Sequence, residues 1–176
     1  MASRGYNVVL VDTDPQGSVG HSLSRNTKRR YGFYDAVIDE SPFDNLIIKT
    51  KLPNYQIITS GNNSDAFEEH KIDLISFSNK TSLLFKYLKS KQVDFVIVDT
   101  SAGVGAITSN IIKESDTIIM PQQAEPLGIR SVPQVLKKIL SIRREGAKIN
   151  VAGILMTMVN PQLRDRKSTR LNSSHQ

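Results

Sequence analysis

The chain alternates between short apolar runs and longer amphipathic stretches. The apolar runs are rich in valine and isoleucine, which favour β-strands, and they cover residues 7–11, 56–59, 94–99, 117–120 and 151–156. Stretches with helical spacing of apolar residues lie between them, at 79–90, 106–113 and 128–145, with a shorter helix at 34–38 and a shorter strand at 46–48. Strands that are apolar on both faces and are separated by amphipathic helices predict an α/β fold. We expect three layers, with helices covering both faces of a mostly parallel, twisted sheet.

Two of the helices carry finer signals. In the helix at 79–90, the apolar stripe that would face the core is formed by Leu83, Leu84, Tyr87 and Leu88. Gly146 directly follows the helix at 128–145, at the position where a glycine commonly ends a helix. We therefore predict that this long helix ends at Gly146.

The composition fits one soluble globular domain. The chain has 176 residues, of which 39% are hydrophobic and 23% charged, enough for a single core. No stretch approaches the roughly 18 to 20 continuous apolar residues of a membrane span. Cysteine is absent, which excludes disulfides and thiolate metal sites. These features favour a cytoplasmic protein that does not bind membranes.

Half of the net positive charge comes from the last stretch of the chain. The net charge is +6, and the segment 164–176 holds Arg164, Arg166, Lys167 and Arg170 but only one acidic residue. The remaining body has an ordinary charge for a protein of this size, which weakens a nucleic-acid interpretation based on charge alone. The segment also lacks helical or strand periodicity. We therefore divide the chain into a globular domain at 1–163 and a basic tail at 164–176 that is non-native or disordered.

Polar residues cluster at the ends of the predicted strands. Asp12 and Asp14 follow the first strand, and Asp99 ends the strand at 94–99. Two further polar clusters, at 122–126 and 157–160, follow later strands. Because ligands of parallel α/β sheets bind beyond the carboxyl ends of the strands, these clusters predict one shared site.

Four segments carry a resemblance to a known family. In chain order they are VVLVDTDPQGS at 8–18, DFVIVDTSAGVG at 94–105, IIMPQQAEPLGIRSV at 118–132 and GILMTMVNPQLR at 153–164. Their order and spacing resemble the ParA and MinD family of deviant Walker-type P-loop ATPases, over about residues 4–164. The Asp-Pro-Gln-Gly after the first strand and the Gln-Ala-Glu-Pro-Leu of the later loop are closer to the partition branch, whereas Asp-Thr-Ser-Ala-Gly leans slightly towards the division-site branch.

The resemblance implies a role for individual residues. Asp14 matches the carboxylate that orients or deprotonates the attacking water, while Asp12 and Asp99 match carboxylates that hold Mg²⁺ through water. Gly103 matches a backbone position near the γ-phosphate. The segments that flank the adenine and ribose are matched by Gln123, Glu125, Pro126, Thr157, Met158 and Asn160. Such roles suit phosphoryl transfer, which needs positioning and charge stabilisation more than covalent chemistry from the protein.

The resemblance also implies cofactors and partners. Members of the family use ATP and Mg²⁺, dimerise in an ATP-dependent manner, bind DNA non-specifically and are stimulated by a ParB-like partner. These properties are expected here only together with a phosphate-binding loop.

The family's phosphate-binding signature, Lys-Gly-Gly-x-Gly-Lys-Thr, is not found in this sequence. Gly17, Gly20 and Gly32 are not combined with Lys-Ser or Lys-Thr, and no lysine lies near Gly103 or Gly105. We therefore expect a P-loop fold truncated at both ends, without its first strand and P-loop and inactive by itself. The absent strand would leave residues 95–98 exposed along an open seam, which predicts an aggregation-prone or partly molten chain.

Simpler interpretations of the same residues stay open. Asp12 and Asp14 could cap a helix that starts near Gly17, and Asp99 could simply cap the end of a strand, without a metal role. His21 and His70 lack the spacing of metal ligands and are expected at the surface. The cations of the long helix are either a solvated face or a DNA contact, and they are Lys137, Lys138, Arg143 and Arg144.

Two other function classes use residues of the same kind. A receiver domain also uses an acidic pair and a third aspartate, but Asp12 and Asp99 are too far apart in the sequence, and no Lys-Pro pair ends a later strand. A non-catalytic remnant or interaction domain is the more serious alternative.

Overall fold

The computed structural model describes residues 1–21, 23, 31–38, 42–62, 73–123 and 126–159. The side chains of residue 21 and residues 126–130 are outside this description. The chain divides into two compact units, Met1–Glu114 and Ser115–Gln176. The predicted tail at 164–176, its boundary at 163, and His70 lie outside the described residues.

The described part of the first unit contains four strands and four helices. The strands are β1 (Val8–Asp12), β2 (Ile48–Lys49), β3 (Tyr55–Ile58) and β4 (Phe95–Asp99). The helices are α1 (Ser18–His21), α2 (Phe33–Ile38), α3 (Leu74–Ser90) and α4 (Ala106–Lys113). Two 3₁₀ helices, Ala2–Arg4 and Phe43–Leu46, complete the described elements of this unit.

The four strands form one sheet in the order β2-β3-β1-β4. Strand β1 is parallel to β3 on one side and to β4 on the other, and β2 pairs with β3 in the antiparallel sense. The register places Val8 beside Tyr55 and Phe95, and Asp12 beside Asp99. The near-continuous apolar sequence of β1 suits this interior position, because an interior strand with covered faces is apolar on both.

The core of the first unit lies on the sheet face that carries Val9 and Val11. Helices α2 and α3 pack there, and the fully buried side chains include Phe33, Tyr34, Leu46, Ile58, Phe77, Leu84 and Leu88. The sheet and its helices are thus of the predicted α/β class. The end of β1 is held between two neighbouring strands.

Strand β4 is an edge of this sheet. Among the described residues it pairs with β1 alone. Phe95 and Ile97 are 38% and 44% exposed, whereas Val96 and Val98 pack against the core. The expectation that residues 95–98 are all exposed was therefore wrong for the two valines, because alternate side chains of a strand point to opposite faces.

The second unit contains β5 (Thr117–Gln123), α5 (Pro126–Arg144) and β6 (Asn150–Thr157). The two strands are parallel, with an irregularity between Ile118 and Ile119. Val132, Ile139, Ile142 and Ile149 are buried. Gly146 has a φ of +102° and donates its N–H to the carbonyl of Arg143 at 3.0 Å, so it does end the helix as predicted.

The structure corrects the start of one helix and the stripe that it buries. Helix α3 begins five residues before the predicted start, because the Asp73 carboxylate accepts hydrogen bonds from the N–H groups of Ile75 and Ser76. Its buried residues are Phe77, Thr81, Leu84 and Leu88, while Leu83 is 54% exposed and Tyr87 is only partly buried. Adjacent residues on a helix lie about 100° apart, so one narrow face could not bury both Leu83 and Leu84.

The predicted strand at 46–48 was also misplaced. Leu46 ends the 3₁₀ helix Phe43–Leu46, and only Ile48 belongs to a strand. Pro42 precedes this helix with a φ of −57°, and turn formation there outweighed the β preference of the following isoleucines. No helix in the described part of the chain has the length and apolar character needed to cross a membrane.

Candidate functional site

Asp12, the last residue of β1, and Asp14 organise the loop that follows this strand. Asp12 is fully buried, and its two carboxylate oxygens accept hydrogen bonds from the N–H groups of Asp14 and Val19, both at 3.1 Å. Val19 belongs to the first turn of α1, so Asp12 stabilises the start of that helix. Asp14 Oδ1 accepts the N–H of Gln16 at 3.0 Å, and its carbonyl accepts the N–H of Gly17 at 2.9 Å.

This geometry agrees with the helix-capping interpretation for Asp12. Both of its oxygens are used by main-chain donors. The interpretation fits Asp14 less well, because among the described residues only one of its carboxylate oxygens, Oδ1, accepts a main-chain N–H. A capping role for Asp12 is compatible with holding a cation through water, since each carboxylate oxygen has more than one lone pair.

Thr13 joins the end of β1 to the end of β4. Its N–H and its Oγ1 both donate to the main-chain carbonyl of Asp99, at 2.8 and 2.7 Å. Its own carbonyl accepts a hydrogen bond of 2.8 Å from the Tyr34 hydroxyl. Thr13 is 1% exposed, so these bonds form in a region with little access to water.

The Asp12 carboxylate lies close enough to those of Asp99 and Asp14 for their charges to act on it. Burial raises the pKa of Asp12, and the negative charges of Asp99 and Asp14 raise it further, while the hydrogen bonds from the Asp14 and Val19 amides lower it. Burial also raises the pKa of Tyr34 far above its ordinary value, with smaller contributions from the charges of Asp14 and Asp12. A concentration of negative charge of this kind suits a hydrated divalent cation.

The ends of β1 and β4 offer carboxylate oxygens, the donor type that Mg²⁺ prefers. The described residues contain no group of three histidine, cysteine, aspartate or glutamate side chains arranged around a common metal position. Asp99 is exposed and Asp14 is half-buried, so both carboxylates are accessible to water, whereas Asp12 is fully buried. Mg²⁺ usually keeps several waters and uses only one or two carboxylates, which matches this arrangement.

Gly103 lies in the exposed loop between β4 and α4. It has a φ of +85°, in the left-handed region that favours glycine. Among the described residues, no atom beyond its two chain neighbours lies within 4 Å of the position a Cβ would take. The space around its backbone is therefore open. Helix α4 begins three residues later, after Gly105.

The second unit brings together three of the predicted residues. Gln123 pairs with Thr157 at the ends of β5 and β6, and Thr157 Oγ1 donates to the carbonyl of Gln122 at 3.1 Å. Met158 follows, with a φ of 52° and 80% of its surface exposed. Pro126 is the first residue of α5, whereas Glu125 and Asn160 lie outside the described residues.

Sequence reasoning missed Thr13 and Tyr34. Thr13 stands between the two aspartates, but a threonine has no distinctive metal or catalytic signature in a sequence. Tyr34 was assigned only to a short helix. The sequence did offer one signal for Tyr34, because it lies in an apolar segment and a buried Tyr O–H usually has a hydrogen-bond partner.

The chain is similar to proteins of known sequence. A family model described as an AAA domain matches residues 1–152. The chromosome partitioning protein ParA of Caulobacter vibrioides (strain NA1000 / CB15N) is 26% identical over 165 residues, which cover 90% of this chain and 60% of that relative. The chain thus spans about 60% of the length of that curated relative.

Solved structures share its fold. Apo McdA from Cyanothece has a TM-score of 0.71 and 19% identity, covering 88% of this chain and 62% of that one. Cobyrinic acid a,c-diamide synthase from Mycobacterium smegmatis, solved with an ATP analog and magnesium, has a TM-score of 0.77 and 20% identity, covering 98% and 70%. At these identities the likeness shows the fold alone.

Proposed function

This chain belongs to the AAA domain family, among the ParA- and MinD-like P-loop ATPases, and we propose that it is part of a ParA-type ATPase. The complete protein would bind and hydrolyse Mg-ATP to drive the partitioning of plasmids or chromosomes. The observation that carries this proposal is that Asp12 and Asp99 lie side by side at the ends of two paired parallel strands, with Asp14 two residues after Asp12.

Each carboxylate has a separate role in the proposal. Asp12 and Asp99 hold Mg²⁺ through water, and the bound cation offsets the negative charge of the phosphates. Asp14 orients the attacking water, for which its Oδ2 is suited because the N–H of Gln16 binds to Oδ1. A carboxylate that orients the attacking water stabilises the transition state more than it stabilises the bound ground state.

The nucleotide contacts are proposed for other segments. The backbone at Gly103 approaches the γ-phosphate, and the open space around this glycine supports that role. Gln123, Glu125, Pro126, Thr157, Met158 and Asn160 flank the adenine and ribose. Two observations support this role. Met158 is exposed and so accessible to a ligand, and the hydrogen bond from Thr157 to the Gln122 carbonyl holds the ends of β5 and β6 together.

Phosphate binding is proposed to need a loop that this sequence does not contain. Backbone N–H groups and a lysine of such a loop would bind the phosphates, and without them nucleotide affinity would be low. We therefore propose that the chain alone is inactive. We call the longer protein that carries a Lys-Gly-Gly-x-Gly-Lys-Thr unit ahead of residue 1 the extended protein.

The proposed partners follow from the family. They are a second copy of the protein in an ATP-dependent dimer, non-specific DNA and a ParB-like protein that stimulates hydrolysis, all in the cytoplasm. Lys137, Lys138, Arg143 and Arg144 are exposed on α5, which supports a DNA contact as well as a solvated face.

A non-catalytic interaction domain is the second candidate. The observation that favours it is Asp12, whose two oxygens already bind main-chain N–H groups and so give this aspartate a complete structural role.

Calorimetric titration with Mg-ATP separates the two candidates. We expect micromolar binding by the extended protein, loss of that binding when the final lysine of its unit is replaced by alanine, and at best millimolar binding by the chain alone. An extended protein that folds but does not bind Mg-ATP would favour the interaction domain. Micromolar binding by the chain alone would show that the phosphate site is within this sequence.

A further inference from the structure

The Tyr34 hydroxyl is fixed beside the loop that carries the aspartates. Tyr34 is fully buried, and its ring packs edge-to-face against Phe33 with 5.3 Å between the ring centroids. Its Oη donates to the carbonyl of Thr13 at 2.8 Å. Thr13 lies between Asp12 and Asp14 in the sequence, so this bond acts on the main chain that carries both carboxylates.

Helix α2 is itself held firmly in place. The N–H groups of Phe33 and Tyr34 donate to the carbonyls of Thr59 and Ser60, at 2.8 and 2.9 Å. The buried Asp35 Oδ2 accepts the N–H groups of Gly32 and Asn62, at 2.7 and 3.0 Å. These bonds attach the start of α2 to the segment that follows β3. The main chain at Tyr34 is therefore held in place.

The Thr13 carbonyl depends on this hydroxyl for its position. On its other side, Thr13 is bound twice to the Asp99 carbonyl. Because Thr13 is 1% exposed, water cannot readily replace a lost donor there. A buried carbonyl left without a partner is costly, so the loop would shift towards another conformation.

We propose that Tyr34 is a positioning residue, whose hydroxyl bond to the Thr13 carbonyl sets the placement of the Asp12 and Asp14 carboxylates. This inference rests on the proposed ATPase function. Tyr34 does not touch the reacting atoms in this account; it acts through Thr13.

Tyr34→Phe removes only the hydroxyl and keeps the buried ring. Tyr87→Phe is a matched control, because it removes a tyrosine hydroxyl that binds Asp44 at the surface, away from the β1 loop. In the chain itself, hydrogen exchange at the Thr13 and Asp14 amides should become about five- to tenfold faster in Tyr34→Phe, as expected for one lost hydrogen bond. The same amides should be unchanged in Tyr87→Phe.

The extended protein supplies the functional readout. Tyr34→Phe should lower kcat for Mg-ATP about five- to tenfold with KM changed less than twofold, since misplaced carboxylates affect the transition state. Tyr87→Phe should keep the kcat of the unmutated protein.

The possible failures differ. An unmutated extended protein that does not hydrolyse ATP contradicts the proposed function and, with it, the positioning role. Normal turnover by Tyr34→Phe, or unchanged exchange at Thr13 and Asp14, overturns the role of Tyr34 and leaves the proposed function standing.

Discussion

Thr13 donates two hydrogen bonds to one atom, the main-chain carbonyl oxygen of Asp99, from its N–H at 2.8 Å and from its Oγ1 at 2.7 Å. The first bond continues the ladder between β1 and β4, and the second adds a side-chain bond at the same place. Together they fix the distance between the loop that follows β1 and the last residue of β4. The carboxylates of the candidate site lie on these two segments.

The side-chain bond can be tested by itself. Thr13→Val keeps the shape of the side chain but removes Oγ1, and we expect it to lower the free energy of unfolding by about 0.5 to 1.5 kcal/mol. Thr13→Ser keeps the hydroxyl and should lose less than Thr13→Val. Urea denaturation of the three proteins gives the comparison. A Thr13→Ser protein as unstable as Thr13→Val would show that the methyl group, rather than the hydrogen bond, matters there.

Gly61 should tolerate no side chain. It has a φ of +97°, and a Cβ would lie 1.9 Å from Asp35 Oδ2. Gly5 is the control, because it has a similar φ of +91° but, among the described residues beyond its chain neighbours, no atom within 4 Å of the Cβ position. Gly5→Ala therefore adds backbone strain without steric overlap. We expect Gly5→Ala to cost about 1 to 2 kcal/mol from backbone strain, and Gly61→Ala to cost clearly more. Equal losses in thermal or urea unfolding would contradict the close packing between Gly61 and Asp35.

The edge of β4 predicts an alternating pattern of hydrogen exchange. The Phe95 N–H donates to the carbonyl of Asn7, and in a parallel pair alternate residues face the same neighbour. The amides of Phe95 and Ile97 should therefore be protected in the monomeric chain. Those of Val96 and Val98 should exchange quickly, because among the described residues β4 has no partner on its other side.

Strong protection of Val96 and Val98 in a monomer would contradict this description of the edge. Protection that appears only as the protein concentration rises would instead indicate pairing between copies of the chain.

The sequence predicted the parts of the fold that depend on local pattern. The apolar runs located β1 and β4, and the D-x-D sequence placed two carboxylates where β1 ends. The start of α3 was missed because it depends on the Asp73 cap, which lies before the apolar periodicity begins. Partners distant in the sequence could not be derived. The bond from the Tyr34 hydroxyl to the Thr13 carbonyl, and the bonds from Thr13 to the Asp99 carbonyl, form only after the strands and α2 are assembled.

The most direct test of the account is the turnover of Asp14→Ala in the extended protein. Asp44→Ala is the control, because Asp44 is an exposed aspartate that binds Tyr87 and Lys91 away from the β1 loop. We expect Asp14→Ala to abolish ATP hydrolysis while Mg-ATP binding stays largely intact, since a carboxylate that positions water acts on the transition state more than on the ground state. Asp44→Ala should hydrolyse ATP normally. Normal hydrolysis by Asp14→Ala would contradict the assignment of the catalytic site.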